Sequence, residues 1–464
     1  SPLQPLPLTP PSPYSPFPLI PPPPFAPSPG IPSPLTLPQP THLPQIESFR
    51  NEKLVWMAGG AFHSAAVTRL GVLYTWGSGA YGKLGQGDTM NSPTPRPVRG
   101  IGANAHFVQV ECGTFHSIAV TKMGDVFSFG FSGNGRLGLS IPGGATLEAA
   151  DGGTLRSRVT PQLVRRLEGL AVKDSSDIGM PKDESSAASA SLLKALRPKS
   201  IETLALGGFH SAALSDSGDV YGWGDGRHGA LGVELSAGDA ELRLPARIQG
   251  LGGGINSVTV LSCGVRHSLA LTAEGELFAW GDGALGQLGH GDASKAFLPR
   301  RVTSLKGYKV VHCAAGEEHS ICCSSDGVLF AWGSGSFGKL GLGALHDAPT
   351  PKEVALGGKG RQAKQVACGF AHSLCLCDNF EVLSWGSGWK GKLGQGDDTN
   401  RMTPTPITGL KRQHCVALAA GAFHSLALTE GGDVLSWGVG DRGQLGHGDL
   451  HSRKTPTTVM ALQG

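Results

Sequence analysis

Seven times, each time inside the same frame of residues, a histidine of this chain is followed at once by a serine, at His63, His116, His210, His267, His319, His372 and His424. A base beside a hydroxyl is the pairing that nucleophilic catalysis uses. Neighbours on a strand point to opposite faces, however, so each imidazole and the serine after it cannot share a proton, and no catalytic residue is expected. Seven histidines also suggest a metal centre. Carried by seven separate units they should lie far from one another, and a backbone hydrogen bond inside each unit is the expected use of the ring. The thiols are the remaining candidates. Cys375-Leu376-Cys377, with Cys322 and Cys323 one unit earlier, offer soft ligands without C-x-x-C spacing, so they are expected to be structural, and neither metal nor cofactor is expected.

The histidines sit in a frame that must position them. A glycine lies three residues before each (Gly60, Gly113, Gly207, Gly264, Gly316, Gly369, Gly421) and an aromatic thirteen after (Trp76, Phe129, Trp223, Trp280, Trp332, Trp385, Trp437). A G-x-L-G closes every unit, its leucines being Leu84, Leu137, Leu231, Leu288, Leu340, Leu393 and Leu445. Self-similarity at a period of this size means a propeller, solenoid or array. After each histidine large and small residues alternate, as in Leu269-Ala270-Leu271, the period-two mark of a strand. The third residue after the histidine is always alanine or cysteine, as crowding between neighbouring sheets requires. A turn and a second strand ending at the aromatic follow. The frame glycines would destabilise strand interiors, so they are expected in loops.

These positions, as they stand in CGVRHSLALTAEGELFAWGDGALGQLGHGD and six cousins, resemble the repeat of the regulator-of-chromosome-condensation family over about residues 53 to 464. The resemblance implies an all-β, seven-bladed β-propeller, a fold that hosts several activities. Within that family it implies an exchange factor for the Ran GTPase, an ultraviolet-B photoreceptor, or a binding module. The exchange factor uses acidic residues ahead of the histidine in early blades and a wedge before the G-x-L-G. Here the early pairs are Ala61-Phe62, Thr114-Phe115 and Gly208-Phe209, and the spacing to the G-x-L-G is constant. The photoreceptor carries tryptophan two before the histidine, where this chain has Ala61, Thr114, Gly208, Val265, Glu317, Phe370 and Ala422.

The ends of the array complement each other. Thr455, Pro456, Val459 and Leu462 repeat the segment that follows other copies, and the first copy is read as lacking its own. A C-terminal strand near 457–462 is therefore expected to complete the blade begun by residues 53–80 and contain Trp76, so that N- and C-terminal strands close the ring. In an antiparallel meander the loop before each histidine and the loop after each aromatic emerge at one end. Residues that vary there are the binding-face candidates: Arg227, His228, Arg266, Glu317, Glu318, Trp389, Lys390, Asp441 and Arg442. Trp389 stands out as a loop tryptophan, either an interface anchor or a side chain folded onto its own blade.

Residues 47–464 are read as the propeller, interrupted by an insertion at about 140–200 between the second and third repeats. Its parts are a loop near 142–157 and a Ser- and Ala-rich piece near 173–200, placed after a Val164-Leu167-Leu170 strand. Residues 1–46 hold 19 of the 33 prolines and no Lys, Arg, Asp or Glu. They are expected to form a disordered arm, either a bare linker or a ligand for an SH3- or WW-type partner. With 39 Lys and Arg against 36 Asp and Glu and no dense basic run, nucleic-acid binding is not expected. Nor is a membrane span, for want of about 20 consecutive apolar residues. Nine cysteines, an odd number, suit a reducing compartment, cytoplasmic or nuclear. The function expected is a non-catalytic protein-interaction scaffold. The alternative is a guanine-nucleotide exchange factor for a small Ran-like GTPase.

Overall fold

Each histidine opens a strand. In the first blade β1 (Leu54–Gly59), β2 (His63–Thr68), β3 (Leu73–Gly77) and β4 (Ser92–Pro97) pair in the order β1-β2-β3-β4. Six more four-stranded antiparallel sheets follow, over residues 107–163, 201–247, 258–301, 310–354, 363–406 and 415–458. The result is a seven-bladed all-β propeller, drawn from a computed structural model. It describes residues 53–99, 101, 105–139, 147–148, 154–155, 157–164, 201–236, 238–252 and 256–462. The 1–46 arm and the 173–200 piece of the insertion lie outside the described residues.

Register explains one glycine of the frame. His63 pairs with Gly77 and Ser64 with Trp76. Gly77 takes φ +104, and a Cβ there would stand 2.6 Å from the Phe62 carbonyl oxygen, so only glycine fits. The glycine before the histidine is required for a different reason. A Cβ on Gly60 would meet the His63 imidazole at 2.5 Å and the Gly113 carbonyl oxygen of the next blade at 2.6 Å.

The apolar core lies between blades rather than at one centre. One cluster packs Trp385 of the sixth blade against Ile321, Leu329 and Leu340 of the fifth. The seven frame aromatics, Phe129 included, have no exposed surface. Cys322 and Cys375, at the small-residue position, are equally buried.

A ring of side-chain hydrogen bonds crosses all seven seams, and it corrects the expected use of the histidines. Each imidazole reaches the serine of the next blade, not a backbone group of its own. His63 Nε2 lies 2.8 Å from Ser117 Oγ, His319 Nε2 2.9 Å from Ser373 Oγ, and His424 Nε2 2.7 Å from Ser64 Oγ. Each serine hydroxyl donates to the carbonyl of the x residue of a G-x-L-G, as Ser373 does to Lys339 at 2.8 Å. That hydroxyl proton is committed, so Nε2 carries the imidazole hydrogen and donates. Histidine and serine do project to opposite faces, His63 toward the second blade and Ser64 toward the seventh.

The same carbonyl takes a second bond from the frame tryptophan. Trp385 Nε1 donates to Lys339 O at 2.9 Å and Trp76 Nε1 to Gln444 O at 2.9 Å. Phe129 cannot do this, which leaves Lys83 O with Ser117 alone. Replacing Phe129 with tryptophan is expected to restore the missing bond and raise stability by about 0.5–1.5 kcal/mol. Urea denaturation reads this out, and a lowered midpoint would mean that the second blade has closed around the smaller ring.

Closure differs from the expected strand exchange. The C-terminal strand, Arg453–Thr458, pairs with Val434–Gly438 in the blade of Trp437, and β1–β4 complete the first blade unaided. The repeat is simply phased with its outermost strand after the G-x-L-G. N- and C-terminal strands still meet, but as whole blades: Val459 and Leu462 pack on Trp76, Leu54 and Met57. The insertion is also rearranged. The fourth strand of the second blade is Ser157–Leu163, paired with Val126–Phe131, so it comes before rather than after Val164, and a short pair, Leu147–Glu148 with Thr154–Leu155, occupies the preceding loop.

Candidate functional site

One hydrogen bond in every blade ties the two variable loops together. The backbone N–H two residues past the aromatic donates to the carbonyl just ahead of the histidine: Ser78 to Phe62 at 2.8 Å, Asp282 to Arg266 at 2.9 Å, Ser334 to Glu318 at 2.9 Å and Val439 to Phe423 at 3.0 Å. All seven loop pairs therefore open at one end of the ring. Where the chain leaves the aromatic strand, Tyr81, Asn134, Phe337 and Lys390 adopt positive φ between 53° and 64°. Such strain in non-glycine residues gathers where function holds a side chain in place.

The candidates fall into three groups on this end. Trp389 is 49% exposed. It stands edge-on to Phe423 of the seventh blade at 6.0 Å, with Lys390 Nζ and Lys392 Nζ 5.2 and 5.6 Å from its ring. It therefore leans on the next blade rather than its own. Lys390 Nζ lies 3.6 Å from Asp441 Oδ2, which draws the sixth and seventh blades together, and Arg442 beside it is exposed. A second group joins Glu318 to Lys339 at 3.6 Å. Burial first, then Glu318, raises the Glu317 carboxyl above its usual range. Arg266 is half-buried nearby, its buried Nε without a partner among the described residues. In the third group Arg227 is clamped on Asp225, which also accepts from Asn134 Nδ2 at 2.7 Å. Burial opposes the Asp225 carboxylate, and Arg227 more than offsets it. His228 faces Asp282 at 3.8 Å and is held neutral chiefly by burial.

Four cations at the x position of the G-x-L-G had no place among the expected site residues. Lys83, Arg136, Lys339 and Lys392 are all nearly inaccessible. Arg136 sits beneath Phe131, Phe209 and Phe115 at 4.9, 5.4 and 5.6 Å and donates to the Gly133 carbonyl at 2.7 Å. Lys83 lies 5.9 Å from the Phe62 ring, and Lys392 5.9 Å from Phe423. Burial brings the Lys83 and Lys392 ammonium groups down to about 8. It lowers Lys339 as well, against the pull of Glu318 and Glu317. The rings themselves are half-buried and continuous, Phe370 against Phe423 at 5.2 Å and Phe423 against Phe62 at 5.1 Å. A signal was present in the sequence, four basic residues at one variable position. What it lacked was a tertiary fact: Lys83, Arg136 and Lys392 each lie by a phenylalanine that stands just ahead of a histidine, and Lys339 lies by Glu318 in the same place.

This end has the makings of a binding surface: rigid aromatic rings backed by desolvated positive charge, whose field is strong where water is excluded. Nothing here forms a nucleophile–base pair. Among the described residues no group of three His, Cys, Asp or Glu is arranged to hold a metal ion. All nine cysteines are free thiols. Burial raises most of them, Cys263 and Cys313 to about 12.

The fold and frame have counterparts in known proteins. A family model described as the RCC1-like domain matches residues 169–463, and models of the RCC1 (regulator of chromosome condensation) repeat match residues 71–120 and 107–136. The ultraviolet-B receptor UVR8 of Arabidopsis thaliana is 31% identical over 79% of this chain and 72% of its own length. The crystal structure of human WBSCR16 superposes with a TM-score of 0.68 at 22% identity, over 84% of this chain and 93% of that one. Prp20p of Saccharomyces cerevisiae does so with a TM-score of 0.63 at 22% identity, over 89% and 86%. With the seven-fold frame, the propeller and these matches together, the chain belongs to the RCC1-like domain family.

Proposed function

We propose that this chain is a non-catalytic protein-interaction module whose loop-tip end takes a partner presenting acidic and apolar groups. The observation that supports this most is the set of buried cations under the aromatic arc. Lys83, Arg136 and Lys392 lie beneath half-exposed rings, and Trp389 rises from the same surface. A burial-ready tryptophan among lysines suits an anchor whose partner excludes water on closing. Rigid loops on a closed scaffold suit the same role.

Replacing Trp389 with alanine, or Arg266 with glutamate together with Glu317 with lysine, is expected to weaken capture while the fold persists. A central aromatic anchor contributes about 2 kcal/mol or more, close to a thirty-fold loss of affinity. Capture from cell extract by the full chain, compared with these variants and with a chain lacking residues 173–200, reads this out. Unchanged capture by both face variants would move the site to the rim, the opposite end or that insertion.

The competing role is nucleotide exchange on a small Ran-like GTPase. Prp20p, which shares the fold, is described by its binding properties to Gsp1p and histones. In this chain the residues ahead of the first three histidines are Ala61-Phe62, Thr114-Phe115 and Gly208-Phe209, with no carboxylate among them. No acceleration of fluorescent guanine-nucleotide release is therefore expected. Many-fold stimulation at catalytic amounts of this protein would replace the scaffold reading with the exchange reading. A proline-rich-arm partner of SH3 or WW type and a cytoplasmic or nuclear setting belong to the same proposal.

A further inference from the structure

The inner strands of the seven blades surround a central channel of about 470 Å³. It abuts a smaller space of about 80 Å³ where all seven frame glycines, Gly369 included, converge near the loop-tip end. Each inner strand shifts register once, as between Leu54 and Trp56 in β1. The residue passed over is exposed in every blade, and valine recurs there: Val55, Val108, Val311 and Val416.

Two residues break the sevenfold pattern inside this channel. Two before the frame glycine the chain carries Ala58, Ala205, Ser262, Ala314, Ala367 and Ala419 in six blades, and Glu111 in the second. Four before it, the first blade carries Trp56, 37% exposed, where the other blades carry Gln109, Thr203, Val260, His312, Gln365 and Ala417. Trp56 Nε1 donates to Glu111 Oε1 at 3.2 Å, and Gln109 Nε2 donates to the same oxygen at 3.1 Å. Gln109 is itself fixed by the third blade, donating to Leu204 O at 3.2 Å and accepting from Leu204 N at 3.2 Å. Gln365 makes the same pair of bonds with Leu418 and has no carboxylate beside it. The seam therefore does not need Glu111. Among the described residues no cation pairs with it and no hydrogen bond reaches its Oε2.

An enclosed carboxylate without a counter-charge is costly, and a cation entering the channel would remove that cost. An indole beside it adds a π face that attracts the same charge. The volume is that of a small-ligand pocket, within roughly 300–1,000 Å³. We propose that the central channel binds a compact organic cation, a primary ammonium or guanidinium group, on the Glu111 carboxylate beside the Trp56 indole. This site is separate from the loop-tip face and does not depend on what that face binds.

Binding at this place is linked to protons. Burial raises the Glu111 carboxyl to about 7, against the smaller opposing effects of Gln109 and Trp56. The other titratable groups facing it are the Cys112 and Cys263 thiols, which burial keeps neutral. His312, elsewhere on the wall, is lowered to about 4 by burial and is neutral too. Glu202 and Lys364, at the exposed register-shift positions of their strands, are opposite in sign.

The test uses the full chain with Trp389 replaced by phenylalanine, so that Trp56 is the exposed indole observed, and titrates it with cadaverine and with agmatine. Saturable one-to-one binding is expected by calorimetry, with a change in tryptophan emission. Affinity should fall about tenfold from pH 8 to pH 6 as the carboxylate takes a proton. At pH 7 binding should release about half a proton, read with Glu111 and Trp56 unaltered from heats in two buffers of different ionisation enthalpy. Glu111→Gln should lower affinity at least tenfold at pH 8 with the melting temperature retained. Pentane-1,5-diol should not bind. An N-acetylated, C-amidated lysine peptide binding in place of the free amines would assign the site to a side chain of a larger ligand. Absence of binding by cadaverine, agmatine and that peptide alike, equal binding of the diol, or no proton release at pH 7 would overturn the proposal.

Discussion

Lowering the pH from 7 is expected to unfold this protein cooperatively, with a midpoint near pH 5 and an uptake of about seven protons across the transition. The seven histidines of the seam ring are fully buried. Burial is the first cause of a lowered value in all seven. It brings His210 and His424 to about 4 and His267 to about 3. In the unfolded chain a histidine titrates near 6.5. Between those values the unfolded state binds protons that the folded state refuses, so stability is intact above about pH 6.5 and is lost as the pH falls below it. Each histidine contributes about 1.4 kcal/mol per pH unit in that window. Seven together approach about 10 kcal/mol per unit, comparable to a domain's whole net stability of about 5–15 kcal/mol. Protonation would place its hydrogen on Nδ1, which is buried without a partner in all seven, so the new donor would go unsatisfied. Tryptophan emission and far-ultraviolet circular dichroism against pH check this. A native spectrum retained at pH 4 would refute it.

Truncation before Arg453 is expected to destabilise every blade, not only the last. The removed segment carries the outer strand of the seventh blade, Arg453–Thr458, and the two side chains that cap the first blade, Val459 and Leu462. Both are buried against Trp76 and Leu54. At about 1.5–3 kcal/mol for each fully buried aliphatic side chain, those two alone represent about 3–6 kcal/mol. Loss of Val459 also removes the hydrogen bond its N–H donates to the Val434 carbonyl. The ring then has a free end, and the seam between His424 and Ser64 has lost its neighbouring support. Hydrogen exchange followed by mass spectrometry separates the outcomes. Raised exchange in all seven inner strands is expected. Raised exchange confined to residues 415–452 would mean that each blade is stable by itself and that closure contributes little.

Much of this architecture is local, and local patterns are visible in a sequence. Blade number, strand order within a blade and the burial of Trp76 or Trp385 follow from a frame whose members are within about twenty residues of one another, because a hairpin's register is set by its own turn and alternation. The grouping of loop tips at one end follows from the same antiparallel geometry, which is what sets Trp389 and Lys390 beside Asp441. Relations between blades were decided only in three dimensions. That His63 reaches Ser117, or His424 reaches back to Ser64 across 360 residues, depends on the angle at which neighbouring sheets pack. The acceptor that completes each seam is a backbone carbonyl, and a carbonyl has no letter in a sequence.

Closure shows the same division. The ends are not complementary: the first copy carries its own outer strand, Ser92–Pro97, after its G-x-L-G, and the C-terminal strand belongs to the seventh blade, from which Val459 is buried against Trp76. Lys83, Arg136 and Lys392 come to lie beside the aromatic rings of the loop-tip end, and Lys339 beside Glu318, only once the blades are assembled. Trp56 and Glu111 are 55 residues apart and on different blades. Their meeting depends on seven inner strands converging on one axis, a property of the closed ring that no single repeat contains. The sequence by itself determined the blade, because its information is short-range. The tertiary structure decided the seam, the buried charges and the channel, because each of these exists only where two blades or more come together.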